Sequence, residues 1–263
     1  MKKAVNALEY VMFLVIFMGI TVLLSGALQR KSAGGDFILS SADGFGNYGA
    51  AEEKCVVVID PGHGGEDGGA SAGNIIEKEL NLKISENIAD ILTVYGINCR
   101  LTRSDDRLLY DLYGDLSDYT GKKKTFDLRN RLRIVEEENP ELFLGIHMNK
   151  FSVPKYKGLQ VYYSPNSPKS ETAARLIQES AKNNLAADNN RQIKKSGSEI
   201  YLLNRMKVPG VLVECGFLSN PEELELLSSE DYRKKCASAI AQACRDFLSG
   251  EKINTCHGKD SDV

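Results

Sequence analysis

Three short, continuous apolar runs constrain this sequence more than any other feature. They span residues 55–60, 142–146 and 211–213, and a polar or glycine-rich segment follows each one. Runs of this length without alternation are typical of strands buried on both faces, as in a parallel sheet. Between them lie helical patterns, the first with Leu80, Ile84 and Ile88 at helical spacing. Alternating strands and helices predict an α/β fold with right-handed crossovers.

Weaker patterns complete the prediction. Two more strands are expected at 97–102 and 158–163, and a short extended segment at 200–203. Helices are expected near 127–138, 170–185 and 231–248, and the polar residues 104–126 form a long loop. We therefore predict a single domain with a twisted, mostly parallel central sheet and helices on both faces, preceded by an N-terminal membrane helix.

The N-terminal segment differs in composition from the rest of the chain. An apolar stretch runs from Val11 to Leu24, between Lys2-Lys3 and Arg30-Lys31, and can be extended to about residues 7–28. A membrane-spanning helix needs about 20 apolar residues. A signal peptide is the alternative, because residues 25–27 are small enough for cleavage, but we favour an anchor. Both predict an exported protein, and an anchor would hold its folded part on the extracytoplasmic side of the membrane.

These patterns divide the chain into four segments. They are a membrane anchor or signal segment (1–31), a flexible linker rich in Gly, Ser, Ala and Asp (32–53), a catalytic domain (54–250) and a polar tail (251–263). The formal net charge is −3, although the N-terminal segment is basic, so the remainder is acidic. An acidic surface argues against binding to nucleic acid. The six cysteines form no C-x-x-C pair, which disfavours a Cys-based zinc site and predicts buried or incidental thiols, although Cys55 and Cys99 could meet.

Three predicted strands lead into side chains that can bind a metal or carry a proton. His63 follows the first strand, His147 ends the strand at 142–146, and Glu214 ends the last apolar run. In open α/β sheets, ligands bind beyond the carboxyl ends of the strands. The chain has only three histidines, and the third, His257, lies in the polar tail. We therefore predict a metal site that uses His63 and His147.

A catalytic zinc site needs a third protein ligand and leaves one position to water. The nearby candidates are acidic: Asp60, Glu66, Asp67, Glu77 and Glu79. We prefer Glu77, because it continues the buried stripe of Leu80 and Ile84, where a carboxylate is costly unless paired or bound to metal. The structural alternative is an acid at the start of the helix, favoured by the helix dipole. Asp60 is expected to support a ligand. Glu214, in apolar surroundings, suits a general acid–base, with a cap on the turn at 220–222 as the structural alternative.

These residues lie in stretches that resemble the motifs of a known family. Residues 59–65, 77–78, 146–149 and 213–220 are similar, in this order, to motifs of zinc-dependent N-acetylmuramoyl-L-alanine amidases of the Amidase_3 type. The resemblance runs from about Cys55 to Leu248. It implies that His63, Glu77 and His147 bind Zn²⁺ and that Glu214 is the catalytic acid–base. Arg131 matches a recurrent family arginine, structural or substrate-facing, and we group Asn149 with it as a substrate-binding or supporting residue.

Within that family, the sequence is most similar to the spore-cortex amidases. This implies cleavage of the amide between N-acetylmuramic acid and L-alanine in peptidoglycan, as a step toward muramic-δ-lactam during sporulation and germination, at the developing spore. A protein partner that helps the site to retain zinc is a further hypothesis. Two alternatives stay open: a zinc peptidase that cuts inside stem peptides, and a non-catalytic wall-binding protein, which the intact His/Glu/His/Glu set disfavours.

Overall fold

The computed structural model describes residues 54–250, and a six-stranded sheet lies at their centre. Its strands are β1 (Val57–Pro61), β4 (Cys99–Leu101), β5 (Leu142–Asn149), β6 (Gln160–Tyr163), β7 (Lys194–Lys195) and β8 (Gly210–Phe217), in the order β4-β1-β5-β8-β6-β7. Strands β4, β1, β5 and β8 are mutually parallel, whereas β6 is antiparallel to β8. The prediction of a mostly parallel sheet is confirmed. A separate two-stranded hairpin, β2 (Ser71–Ala72) and β3 (Ile75–Ile76), was not predicted.

Helices cover both faces of the sheet, as predicted. The first face packs against α1 (Glu77–Val94), α3 (Pro168–Asn184) and α6 (Glu230–Leu248), and the second against α2 (Lys123–Glu138) and α4 (Tyr201–Arg205). Alternate residues of one strand supply both cores: Val57 and Ile59 face the first layer, and Val58 faces the second. This explains the continuous apolar runs, since neither face of the central strands meets water.

Two segments differ from the prediction. Residues 200–203 were expected to be extended, but Tyr201–Arg205 is a short helix. Its Leu202 and Leu203 are buried, and Arg205 lies 4.1 Å from the Tyr201 ring, one turn away. Four apolar residues cannot distinguish strand from helix by periodicity, which is why the prediction was wrong. Helix α5 (Pro221–Ser228) was interpreted only as a turn, although Asn220 caps it by accepting a hydrogen bond from the Glu223 N–H at 3.1 Å.

The cysteines of the described part are free thiols, as predicted. Cys55, Cys215, Cys236 and Cys244 are buried, Cys99 is half-buried, and Cys55 is not bonded to Cys99. Burial raises the pKa of the Cys236 and Cys244 thiols to about 12, so they are unreactive at neutral pH. The predictions for residues 1–31, 32–53 and 251–263 lie outside the described residues. Within 54–250, no helix has the length and apolar character needed to cross a membrane.

A candidate metal centre at the carboxyl edge of the sheet

The predicted site residues meet at the carboxyl edge of β1, β5 and β8. His63 follows the end of β1 by two residues, and His147 lies near the end of β5. Glu214 on β8 pairs directly with His147 in the strand register. Glu77 is the first residue of α1, whose N-terminus points to the same edge. Four residues that are far apart in the sequence therefore meet because neighbouring parallel strands end together.

His63, Glu77 and His147 form a compact cluster. The Glu77 Oε1 atom lies 3.2 Å from His63 Nε2 and 3.1 Å from His147 Nδ1. Each side chain offers one ligand atom, and these atoms lie within 4.8 Å of one another. Glu77 is only 3% exposed, whereas the histidine side chains are partly open to solvent. Two imidazoles and one carboxylate are the ligand set of many catalytic zinc sites, so the cluster could hold such an ion.

Asp67 fixes the orientation of His63. Its Oδ2 lies 3.0 Å from His63 Nδ1 and 3.1 Å from the Lys124 ammonium. A proton on Nδ1 leaves the Nε2 lone pair directed at Glu77, and this is the tautomer that a metal requires. Burial lowers the pKa of His63, but Glu77 and Asp67 outweigh it and raise the pKa above 6.5. The backbone of His63 has φ 64°, a left-handed conformation that is uncommon for non-glycine residues and is found more often at functional sites.

The Glu77 carboxylate is anchored on both oxygens. Oε2 accepts a hydrogen bond from the Ala70 N–H at 2.7 Å, and Oε1 accepts one from the Met148 N–H at 3.1 Å. Asn81, one turn later on α1, also donates to Oε1 at 3.4 Å. Burial raises the pKa of Glu77, but the two histidines outweigh it and lower the pKa well below its usual range. The carboxylate is therefore ionised, as a metal ligand must be.

Two glycines make room for the cluster. A Cβ atom at Gly62 would lie 2.1 Å from the His147 ring, and one at Gly69 would lie 2.5 Å from Glu77 Oε2. Gly69 also has φ +68°, which disfavours any other residue, whereas steric space is the constraint at Gly62. The glycines around His63 are therefore needed for close approach of the ligands.

Two buried arginines hold the loop that carries His63. Arg131, 1% exposed, pairs with Asp60 at 2.7 Å and donates to the carbonyl of Pro61 at 2.8 Å and of His63 at 2.6 Å. Arg103, 3% exposed, donates to the carbonyls of Pro61 at 2.9 Å and Gly62 at 3.0 Å. Three successive carbonyls thus accept hydrogen bonds from guanidinium groups. Of the two roles considered for Arg131, this geometry favours the structural one.

Asp60 and Asp127 flank the Arg131 guanidinium. Arg131 Nε donates to Asp127 Oδ2 at 2.9 Å, and Thr102 donates to Asp60 Oδ1 at 2.5 Å. Burial raises the pKa of Asp60, but Arg131 and Thr102 outweigh it, and the pKa is lowered. Asp60 therefore supports the ligand loop, as the sequence suggested. Sequence reasoning missed Arg103, although it lies two residues beyond the end of β4, at the same edge.

Glu214 has the surroundings of a general acid–base. Its Oε2 atom is buried and has no hydrogen-bond partner among residues 54–250. Burial raises the pKa of Glu214 to about 7, with a further rise from Glu77 and opposing effects from His147 and His63. The structural alternative, a cap on residues 220–222, is wrong, because Asn220 itself caps that helix. A carboxyl group with a pKa near neutrality can accept and release a proton during turnover.

Asn149 and a cleft complete the surroundings of the cluster. Asn149 ends β5, and its backbone carbonyl accepts a hydrogen bond from the Leu218 N–H at 2.8 Å. A contact between its side chain and the substrate stays a prediction. A cleft of about 240 Å³ opens beside the two histidines, over Gly145 and Leu212 of the sheet, between α2 and the first part of α4. It gives a substrate access to the cluster from the second face of the sheet.

Comparison with known proteins gives a consistent result. Residues 57–246 match the Amidase_3 family model, described as N-acetylmuramoyl-L-alanine amidase. The germination-specific N-acetylmuramoyl-L-alanine amidase of Bacillus subtilis is 35% identical over 185 residues, which cover 70% of this chain and 76% of the relative.

Solved structures agree with this match. The CwlD amidase from Clostridioides difficile, in complex with the GerS lipoprotein, is 36% identical with a TM-score of 0.69, over 74% of this chain and 99% of that one. The amidase AmiC2 of Nostoc punctiforme is 31% identical with a TM-score of 0.61, over 74% of this chain and 98% of that one.

Proposed function

This chain belongs to the Amidase_3 family of N-acetylmuramoyl-L-alanine amidases, and from that premise we propose that it is a zinc hydrolase of spore-cortex peptidoglycan. The reaction is hydrolysis of the amide between the lactyl group of N-acetylmuramic acid and L-alanine. His63, Glu77 and His147 hold the ion, and Glu214 moves the proton. The observation that carries the proposal is the convergence of these four side chains at one edge of the sheet, within the matched region.

The residues present fit a zinc ion. The ligand atoms of the two histidines and Glu77 lie within 4.8 Å of one another, and Asp67 holds His63 in the tautomer that exposes Nε2. When bound, zinc would polarise the amide carbonyl and make a bound water more acidic. Because only three protein ligands are offered, one position stays free for that chemistry.

Glu214 supplies the proton transfer. Its carboxylate accepts a proton from the attacking water as the water oxygen bonds to the carbonyl carbon. The same carboxyl group then donates the proton to the L-alanine nitrogen as the carbon–nitrogen bond breaks. A pKa of about 7 suits both steps. The products are a lactyl carboxylate on the glycan and a stem peptide with a free L-alanine amine.

The biological setting is proposed from the relatives. One relative is named a germination-specific amidase, and another is described in complex with the GerS lipoprotein. We extend this to a cortex role toward muramic-δ-lactam, with residues 1–31 anchoring the protein outside the cytoplasmic membrane at the developing spore. A protein partner that helps to retain the zinc is consistent with a site of three protein ligands.

Product analysis tests the proposal. Purified peptidoglycan is incubated with the zinc-loaded protein, and the released peptides are identified by mass spectrometry and N-terminal labelling. We expect intact stem peptides that begin with L-alanine, loss of release after chelation, and recovery with added zinc. Cuts inside the stem peptide would favour the zinc peptidase. An absence of release together with an absence of bound zinc would favour the non-catalytic alternative.

A further inference from the structure

Exposed apolar side chains are concentrated in the segment that follows β5 and on α5. Phe151, Val153, Tyr156 and Leu226 are 51%, 38%, 40% and 44% exposed, and they make up four of the seven large exposed apolar side chains among residues 54–250. We call these four residues the rim surface. A cluster of exposed apolar side chains on a folded domain commonly marks a binding surface.

The rim surface is held in place. The Phe151 N–H donates to Ser219 Oγ at 3.0 Å, and the Asn220 side chain donates to the Pro154 carbonyl at 2.9 Å. The Phe151 and Tyr156 rings meet edge to face, with centroids 5.1 Å apart, and Tyr156 also lies 6.5 Å from the Phe217 ring. The aromatic rings are thus exposed on a segment that hydrogen bonds and ring contacts fix, which is the arrangement of a preformed site.

The rim surface continues the catalytic edge. Phe151 is two residues beyond Asn149, which pairs with Phe217 where β5 and β8 end. Phe217 pairs with Asn149, which is two residues beyond His147, or ~7 Å along β5. A polymer whose reacting unit lies at the metal cluster therefore extends over this surface if it runs along the strand direction.

The polar groups around the rim surface suit hydroxyl and amide groups. The Lys155 ammonium lies 5.8 Å from the Tyr156 ring centroid, and the Arg191 guanidinium lies 4.3 Å from that of Phe217. A groove of about 380 Å³ runs between Tyr156, Leu226 and Arg191, with Asn190 on its wall. Flat apolar rings beside amide and cationic donors match a sugar ring, which has apolar C–H faces and polar hydroxyl edges.

We propose that the rim surface binds the glycan strand of peptidoglycan, at sugar units beyond the muramic acid whose amide is cleaved. This inference rests on the proposed function, because it takes peptidoglycan as the substrate. It predicts a preference for long glycan strands that is separable from the chemistry at Glu214.

The test compares two substrates, and it compares variants of the rim surface with a control variant at Tyr95, a tyrosine nearly as exposed as Tyr156. Tyr156→Ala and Phe151→Ala are made singly and together, and Tyr95→Ala is the control, since Tyr95 is 38% exposed at the end of α1. KM is measured on long glycan strands and on a single disaccharide–peptide. Removing roughly 50 Å² of apolar contact per ring changes affinity by about tenfold. We expect the polymer-to-fragment KM ratio to rise about tenfold in each single rim variant and about 100-fold in the double variant, and to stay unchanged in Tyr95→Ala.

A binding assay checks the same point without turnover. Each rim variant is combined with Glu214→Gln and sedimented with insoluble peptidoglycan, and circular dichroism verifies folding. If the protein with both rim substitutions does not fold, the result for Phe151→Ala, combined only with Glu214→Gln, decides whether the rim surface binds glycan. A ratio and a sedimented fraction equal to wild type would overturn the proposal and point to another occupant, such as a protein. Failure of the wild type to cleave either substrate would instead refute the proposed function.

Discussion

Replacing Gly62 by alanine is expected to abolish zinc binding while the domain stays folded. A Cβ atom at this position would lie 2.1 Å from His147 Cε1, and ordinary van der Waals contact begins at 3.4 Å, so one group must move by about 1.3 Å. Gly62 cannot withdraw easily. Its N–H donates to the Ile146 carbonyl at 3.0 Å, and its own carbonyl accepts hydrogen bonds from Arg103 and Asn81, each at 3.0 Å.

The His147 ring must therefore move, and a metal site tolerates little movement. Ligand distances in such sites are kept to about 0.2 Å, several times less than the required shift. Changes that disturb only the support of a ligand cost about 10–100-fold in affinity. Displacing the ligand itself should cost at least about 100-fold. The exposed side of the histidine ring gives it room to turn away, which is why the fold should survive.

Zinc affinity is measured by competition with a chromogenic chelator, and folding by circular dichroism. Gly145→Ala is the matched control, since Gly145 lies two residues before His147 on β5 and a Cβ there would meet its neighbours no closer than 3.4 Å. The control should bind zinc as the wild type does. Zinc affinity of Gly62→Ala within about threefold of wild type would refute the steric argument, since displacement of a ligand costs far more.

Three further results are expected. Glu214→Gln should keep its zinc but lose about 10²–10⁴-fold in kcat on muropeptides, and a loss of less than about tenfold would contradict its role. Arg131→Met leaves Asp60 and Asp127 buried without their partner and should lower the free energy of urea unfolding by about 3–5 kcal/mol. A change below about 1 kcal/mol would contradict the structural role of Arg131. Because the pKa of Asp60 is lowered in the folded state, its ionised form stabilises the protein above the unfolded pKa of about 3.9. The stability difference between wild type and Asp60→Asn should therefore shrink as the pH falls below about 4, and a difference that stays constant to the acid limit would count against the ion pair.

The sequence predicted the position of the site because strand ends are readable from it. His63, His147 and Glu214 each follow an apolar run, and the ends of parallel strands meet at one edge. Glu77 was chosen over its neighbours from its place on the buried stripe of α1, and it is 3% exposed. These are local patterns of period and polarity, which a single sequence contains.

The hydrogen bonds that support the His63 loop could not be predicted in the same way, although Asp60 was expected to support a ligand. Arg103 and Arg131 reach the same loop from different elements, and only the folded chain brings them together. The demand for glycine at Gly62 depends on a separation of about two ångströms from a ring on another strand. Residues 200–203 show the same limit at the level of secondary structure, because the choice of helix depends on what packs against them.

The strand order also determines when this site can exist. Strand β5 lies between β1 and β8, and β8 comes last in the chain. Pairing between such distant segments is slow, because long loops must close before the contacts form. A chain that ends before Gly210 lacks Glu214 and leaves the β8 side of β5 unpaired. With Glu214 as the proton carrier that we propose, truncated or partly synthesised chains are expected to be inactive, and activity is expected only after the last central strand has docked.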